Sequence, residues 1–188
     1  MATVILVRHG RTTANATGIL AGRTPGVRLD AVGRDQALQA GKRLAAVPLV
    51  AVVSSPLERC RQTARLILDQ QEGTPATPLE KAITECDYGD WQGRPLRELA
   101  KEPLWSVVQN QPSAAVFPHG ESLGAMQARS VAAIRRLADL GADAVVLACT
   151  EIGLLIGPDD SPLPLIDSAE AHARMLGQVA LGGVPARS

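Results

Sequence analysis

The chain has 188 residues, 46% of them apolar and 2% aromatic, and its 19 basic and 19 acidic side chains cancel to a formal net charge of zero. That length suits one domain with a substantial core, and the apolar share argues against disorder. Zero net charge gives no support to nucleic-acid or anionic-membrane binding, so a charged ligand must be met by a few placed arginines. With so few rings, the core is expected to be Ala, Val, Leu and Ile. The cysteines, Cys60, Cys86 and Cys149, are few, widely spaced and odd in number, which shows neither a disulfide framework nor a zinc pattern. Arg8 interrupts the first apolar run too early for a signal peptide, and no apolar run is long enough to span a bilayer. The expectation is a soluble, reduced, cytoplasmic protein that binds neither nucleic acid nor membrane.

Residues 3–8 predict a buried parallel strand, Val4-Ile5-Leu6-Val7, that ends abruptly in Arg8-His9-Gly10. Such a strand delivers a cation, an imidazole and a flexible glycine to the carboxyl edge of a sheet, where open α/β sheets bind ligands. Residues 11–29 predict a polar, Gly-rich loop. Asp30 is a candidate N-cap for a helix to about residue 47, with Ala37, Ala40, Leu44 and Val47 at helical spacing. Residues 49–54 predict a second strand. Ser55-Pro56-Leu57-Glu58 has the form of a capping box with proline at the first helical position, and opens a helix to about residue 69. Cys60, Ala64, Ile67 and Leu68 share one face of it.

After a turn at 73–78, residues 79–84 predict a short strand. Short helices follow at 96–101 and 104–110, then a loop over 112–120. Residues 122–140 predict a helix with Leu123, Met126, Ser130, Ile134 and Leu137 along one stripe. Residues 144–148 predict a buried strand, 157–164 a turn-rich loop, 163–166 a short strand, and 168–181 a final helix carrying His172. The alternation of strands and helices implies a single α/β domain over 1–188 with a mostly parallel sheet. No repeat, low-complexity stretch or linker is visible.

Four motifs in order carry a family likeness. They are Arg8-His9-Gly10 with Asn15; Ser54-Ser55-Pro56-Leu57-Glu58-Arg59; Glu85 ahead of Tyr88-Gly89-Asp90-Trp91; and Gly120-Glu121-Ser122 before a helix with Arg129. Over roughly residues 1–137 the chain resembles the histidine phosphatase superfamily, the group that includes the cofactor-dependent phosphoglycerate mutases. The resemblance implies a three-layer phosphoglycerate-mutase-like domain. It also implies hydrolysis or transfer of a phosphoryl group on a small phosphorylated metabolite through a phosphohistidine, without a cofactor. A neutral imidazole nitrogen can attack phosphorus and split one displacement into two, which makes His9 the candidate nucleophile. The transferring group spreads charge over three oxygens, and Arg8 and Arg59 can clamp them bidentately, so no metal is called on. Arg59 falls in a first helical turn, where backbone N–H groups add positive potential. The leaving oxygen needs a proton; Glu85 is the candidate acid, with Asp87 as an alternative. Asn15 and Gly22 are candidates for the phosphoryl pocket, and Arg23 and Arg94 for the rest of an anionic substrate.

The last quarter departs from that family. Its members carry a second histidine after a later apolar strand, whereas here strand 144–148 is followed by Cys149-Thr150-Glu151, with Thr150 in roughly its place. Losing one preorganised donor costs about 10²–10³ in rate, so weak activity is expected. His119, just before Gly120, is a secondary candidate for the site. Residues 138–183, with Cys149-Thr150-Glu151, Pro164-Leu165-Ile166-Asp167-Ser168 and His172-Ala173, resemble instead the C-terminal segment of cofactor-independent aspartate/glutamate racemases. That resemblance implies an acid/base role for Cys149, but the partner cysteine's motif is missing around Cys60 and Cys86. The family switch falls near 137–144. Phosphoryl transfer at His9 therefore leads, with racemisation at Cys149 and phosphate binding without turnover as alternatives.

Overall fold

The computed structural model describes residues 3–139, 144–148 and 165–167. The leading apolar run becomes β1 (Thr3–Val7), and β2 (Ala51–Ser54), β3 (Ala144–Ala148) and β4 (Leu165–Asp167) join it in a parallel sheet ordered β2-β3-β1-β4. Register pairs Val7 with Ala148 and Ser54 with Ala148, so β1, β2 and β3 end level at one carboxyl edge.

Successive strand side chains point to opposite faces. Ile5, Val7 and Val52 pack with Leu49, Ala64 and Ile67, while Val4, Leu6 and Val53 pack with Ile83, Ala133 and Ile134. Burial on both faces explains why β1 reads as an unbroken apolar run. Helices α2 (Ala31–Leu44) and α3 (Glu58–Leu68) cover the first face, and α6 (Leu123–Asp139) the second. Asp30 caps α2 as expected, accepting from Gly33 N at 2.8 Å.

Three expectations are corrected. The loop over 11–29 contains a short helix α1 (Thr13–Thr17), started by a reciprocal capping box between Thr12 and Asn15. The Ser55-Pro56-Leu57-Glu58 box does not form: α3 starts after an extended Leu57 with no side-chain cap, and Ser55 Oγ accepts from Leu57 N at 3.4 Å instead. Residues 79–84 are not a strand. Isolated parallel bridges join Ala51 to Ala76 and Ser54 to Leu79, then a 3-10 turn runs over Lys81–Ile83. Ala76 N and Glu80 N donate to Val50 O and Ser54 O, but Pro78 between them offers no N–H, which interrupts the ladder beside β2.

A second core lies beyond the sheet. Cys86, Tyr88, Trp91, Leu99, Ala115, Phe117, Leu123 and Met126 bury together, with Trp105 packed against them. The segment includes the short helices α4 (Leu96–Leu99) and α5 (Pro103–Asn110). All four aromatic residues of the chain sit here, Trp91 stacking on Trp105 and meeting Phe117 edge-on. The expectation of an aliphatic core therefore holds for the sheet and not for this segment. Among the described residues, no helix is long and apolar enough to cross a membrane. The loop expected at 157–164 and the helix at 168–181 lie outside the described residues.

Candidate active site

Level strand ends bring the segment after β1 and the turn after β2 to the same edge of the sheet, on either side of β3. His9 follows β1 and is 7% exposed. Its Nδ1 lies 2.7 Å from Gly10 O, and Arg59 Nε donates to its Nε2 at 3.1 Å. A carbonyl only accepts and a guanidinium only donates, so the ring proton sits on Nδ1 and the Nε2 lone pair faces Arg59. Gly10 is itself fixed, its N donating to Thr63 Oγ1 at 3.1 Å. Burial pulls the His9 pKa down to about 4, and the Arg59 and Arg8 charges add to it against the Gly10 hydrogen bond and Glu85. At neutral pH the imidazole is therefore uncharged, and its single Nε2 lone pair is engaged by Arg59 Nε.

Arg59, second residue of α3, is 2% exposed. Besides His9 it reaches Gly22 O at 2.9 Å and Glu85 Oε2 at 3.4 Å, both through Nη2. Gly22 has φ 51°, and a Cβ there would come 2.7 Å from Gln92 Oε1, so only glycine turns this carbonyl toward Arg59 without strain. Glu85 is 5% exposed; its Oε1 accepts from Cys86 N at 3.1 Å and Tyr88 OH at 3.4 Å. Asp87, the alternative acid, is turned away: its Oδ1 accepts from Gly89 N at 3.1 Å and its Oδ2 faces Arg23 at 3.3 Å. Burial pushes the Cys86 thiol well up, as do the Glu121 and Glu85 charges, which keeps it protonated.

Arg8 is exposed at the same edge and has no hydrogen-bond partner among the described residues. Asn15 Oδ1 is taken by Thr12 N at 3.0 Å and Thr12 Oγ1 at 2.8 Å, which leaves its Nδ2 as the open donor. Arg23 is not a free substrate arm. Its Nε donates to Glu85 O at 2.8 Å, and its Nη1 and Nη2 reach Asp87 at 3.3 Å and Glu121 at 2.9 Å. Arg94 is paired with Glu102 at 2.7 Å and is not brought to the cluster. His119, exposed and with φ 55°, pairs with Asp90 Oδ2 at 2.9 Å on the surface rather than with His9. Cys149, Thr150 and His172 lie outside the described residues.

The sequence assigned no role to Thr63, Tyr88, Glu121 or Arg129. Glu121 and Arg129 were visible only as members of the fourth motif, whose meaning emerges from the contacts of Arg129 with Glu85 and of Glu121 with Asp87, far off in sequence. Among the described residues, no group of His, Cys, Asp or Glu is arranged to hold a metal ion.

A buried neutral imidazole, a guanidinium on its lone pair and a carboxyl on that guanidinium form a compact set for moving a phosphoryl group. Residues 4–155 match the family model of the Histidine phosphatase superfamily (branch 1). The chain belongs to the histidine phosphatase superfamily. Adenosylcobalamin/alpha-ribazole phosphatase of Escherichia coli is 33% identical over 153 residues, which cover 80% of this chain and 73% of that protein. Fructose-2,6-bisphosphatase TIGAR of Xenopus tropicalis is 32% identical over 66% of this chain, and the match spans 46% of its own length. The crystal structure of the alpha-ribazole phosphatase from Shigella flexneri superposes with a TM-score of 0.69 at 29% identity, over 79% of this chain and 74% of that one. The phosphoglycerate-mutase-like α/β fold is thus established, and the class of chemistry is histidine-dependent phosphoryl hydrolysis or transfer. The family match runs on past the expected switch near 137–144. The racemase-like stretch 138–183 lies mostly outside the described residues, and the two strands within it, β3 and β4, flank β1 in the sheet.

Proposed function

We propose that this chain removes the phosphoryl group from a phosphomonoester of a small metabolite, with His9 Nε2 as the attacking atom. The observation that carries this is the His9 ring itself: buried, neutral, its Nδ1–H fixed on Gly10 O and its Nε2 lone pair facing Arg59. Arg59 Nε passes from Nε2 to a phosphoryl oxygen and frees the lone pair; Nε2 then attacks phosphorus as the bond to the leaving oxygen breaks, and the leaving oxygen takes the proton that Glu85 carries into the step, leaving its carboxylate on Arg59. Water then attacks the phosphohistidine, gives its proton to Glu85, and releases phosphate and the neutral imidazole. Where product stays in place of water, the same intermediate returns the phosphoryl group to another position, which is the mutase outcome.

Arg59 supplies the fixed cation for the equatorial oxygens, oriented by Gly22 O, and Arg8 the solvent-side one. Asn15 Nδ2 donates to a phosphoryl oxygen while Thr12 holds its Oδ1. Arg23 and Arg94, committed to other partners, are left out of the substrate set. Racemisation rests on the sequence resemblance alone, and one thiol cannot serve both faces of a substrate carbon.

Hydrolysis of an aryl phosphate by the parent and by His9→Ala, each checked for folding by circular dichroism, tests the proposal. Turnover by the parent and none by the folded variant supports it. Equal turnover by both removes His9 from the chemistry. Phosphate raising the melting temperature with no product from either would leave binding without catalysis.

A further inference from the structure

Glu85 lies in a segment with no regular ladder, between a 3-10 turn (Lys81–Ile83) and another (Gly89–Trp91). What holds its backbone is a polar cluster of Arg23, Glu121 and Arg129. Arg23 Nε and Arg129 Nη2 both donate to the Glu85 carbonyl, at 2.8 and 3.2 Å. Arg129 Nη1 donates to Ala82 O at 2.6 Å, three residues upstream. Glu121 stands between the guanidiniums: Oε1 accepts from Arg23 Nη2 at 2.9 Å and from Arg129 Nη2, and Oε2 from Arg129 Nε at 3.1 Å. The same Oε1 accepts Asp87 N at 3.0 Å, while Glu121 N donates to Asp87 O at 2.9 Å. A Cβ on the preceding residue, Gly120, would lie 2.3 Å from Asp87 O, so the two loops touch backbone to backbone.

Three side chains from distant stretches of the chain thus converge on the backbone on both sides of one carboxyl-bearing residue. We propose that Arg129 and Glu121, with Arg23, are positioning residues that set the Glu85 carboxyl for proton transfer to the leaving oxygen. This rests on Glu85 being the acid of the proposed reaction. Burial pushes Glu121 up, but Arg129, the Asp87 N–H and Arg23 outweigh it and hold its carboxyl below the usual range. The cluster therefore stays charged across the working pH. A misplacement of about 1 Å in a reacting group costs on the order of 10²-fold, so slack in this cluster reaches the chemistry without any contact to substrate.

A structural brace and a positioning brace differ in what their loss does to different leaving groups. A dinitrophenolate departs without a proton, whereas an alkoxide needs one. The experiment measures kcat/KM, which reports the first phosphoryl transfer, for 2,4-dinitrophenyl phosphate and for an alkyl phosphate. The full-length parent is compared with Arg129→Ala, Arg129→Lys, Glu121→Gln, Glu85→Gln and Arg129→Ala/Glu85→Gln. Arg129→Ala is expected to cost about 30-fold on the alkyl ester and under about threefold on the aryl ester. The double variant is expected to be no worse than Glu85→Gln, and Arg129→Lys to recover part of the loss. Equal losses on both esters, or multiplying losses in the double variant, overturn the proposal. If circular dichroism shows Arg129→Ala unfolded, Arg129→Lys and Glu121→Gln carry the same two-ester comparison. Failure of the underlying reading shows separately: His9→Ala would keep aryl ester activity, or Glu85→Gln would lose both esters alike.

Discussion

His9 and Arg59 stand on the aliphatic half of the molecule, whereas Glu85 hangs from the aromatic half. His9 follows a strand whose every side chain from Val4 to Val7 is buried between Val, Leu, Ile and Ala neighbours, and Arg59 sits in the first turn of a helix laid on that sheet. Strand register and helix packing set the positions of both, and few polar contacts are needed. Glu85 has no such frame. Its segment leans on a cluster of rings and is fastened by Arg23, Glu121 and Arg129. The nucleophile is thus placed by packing and the proton donor by charge-assisted hydrogen bonds, two devices with different sensitivities.

The largest effect should come from the packed half. His9→Ala is expected to lower aryl phosphate turnover by at least about 10³-fold with little change in fold, read by steady-state kinetics and circular dichroism. Arg59→Ala joins the two halves and should damage both. A loss of about 10²–10³ in kcat is expected, because the cation on the phosphoryl oxygens is gone. Chemical denaturation should also show a loss of about 3 kcal/mol, since Glu85 is left buried without its partner. Arg59→Lys should recover little activity, because a point charge cannot reach His9, Gly22 and Glu85 together.

pH separates the halves in stability. The folded His9 pKa of about 4 lies below its unfolded value of 6.5, so between them the unfolded chain binds more protons. Stability is full above pH 6.5 and falls as pH drops toward 4, by about 3 kcal/mol from this residue alone. Melting curves across that window should be steeper in pH for the parent than for His9→Gln; identical slopes would mean His9 is not buried neutral. The smallest effect is expected at Asn15. Asn15→Asp keeps the acceptor that caps α1 but replaces the open donor with charge, so melting temperature should hold while kcat/KM falls about tenfold. Unchanged kinetics would confine Asn15 to its cap.

How much of this was legible in the sequence follows the same division. β1 and its Arg8-His9-Gly10 terminus were readable because a strand buried on both faces leaves an unbroken apolar run. α2 was readable from Asp30 and its spacing, and α6 from the stripe Leu123, Met126, Ser130, Ile134, four residues that are all buried. α1 was not, because five residues are too few to show a helical period. The strand expected at 79–84 failed where Pro78 removes a donor from the ladder and a 3-10 turn follows at Lys81–Ile83. The contacts of Arg23 were not legible because its partners lie 62 to 98 positions away, and no local pattern reports that its loop meets the start of α6. The pairing of Arg94 was not legible either, its partner Glu102 lying eight residues on, beyond the short helix α4. His9, Arg59 and Glu85 could be nominated from their motifs, but their mutual contact could not.

The most direct test of the account is to trap the intermediate. The parent, mixed with an aryl phosphate and quenched in base within one turnover, should carry a single phosphoryl group on His9, lost on mild acid treatment, while His9→Ala carries none. Turnover by the parent with His9 never phosphorylated, or a phosphoryl group still present on His9→Ala, would contradict it.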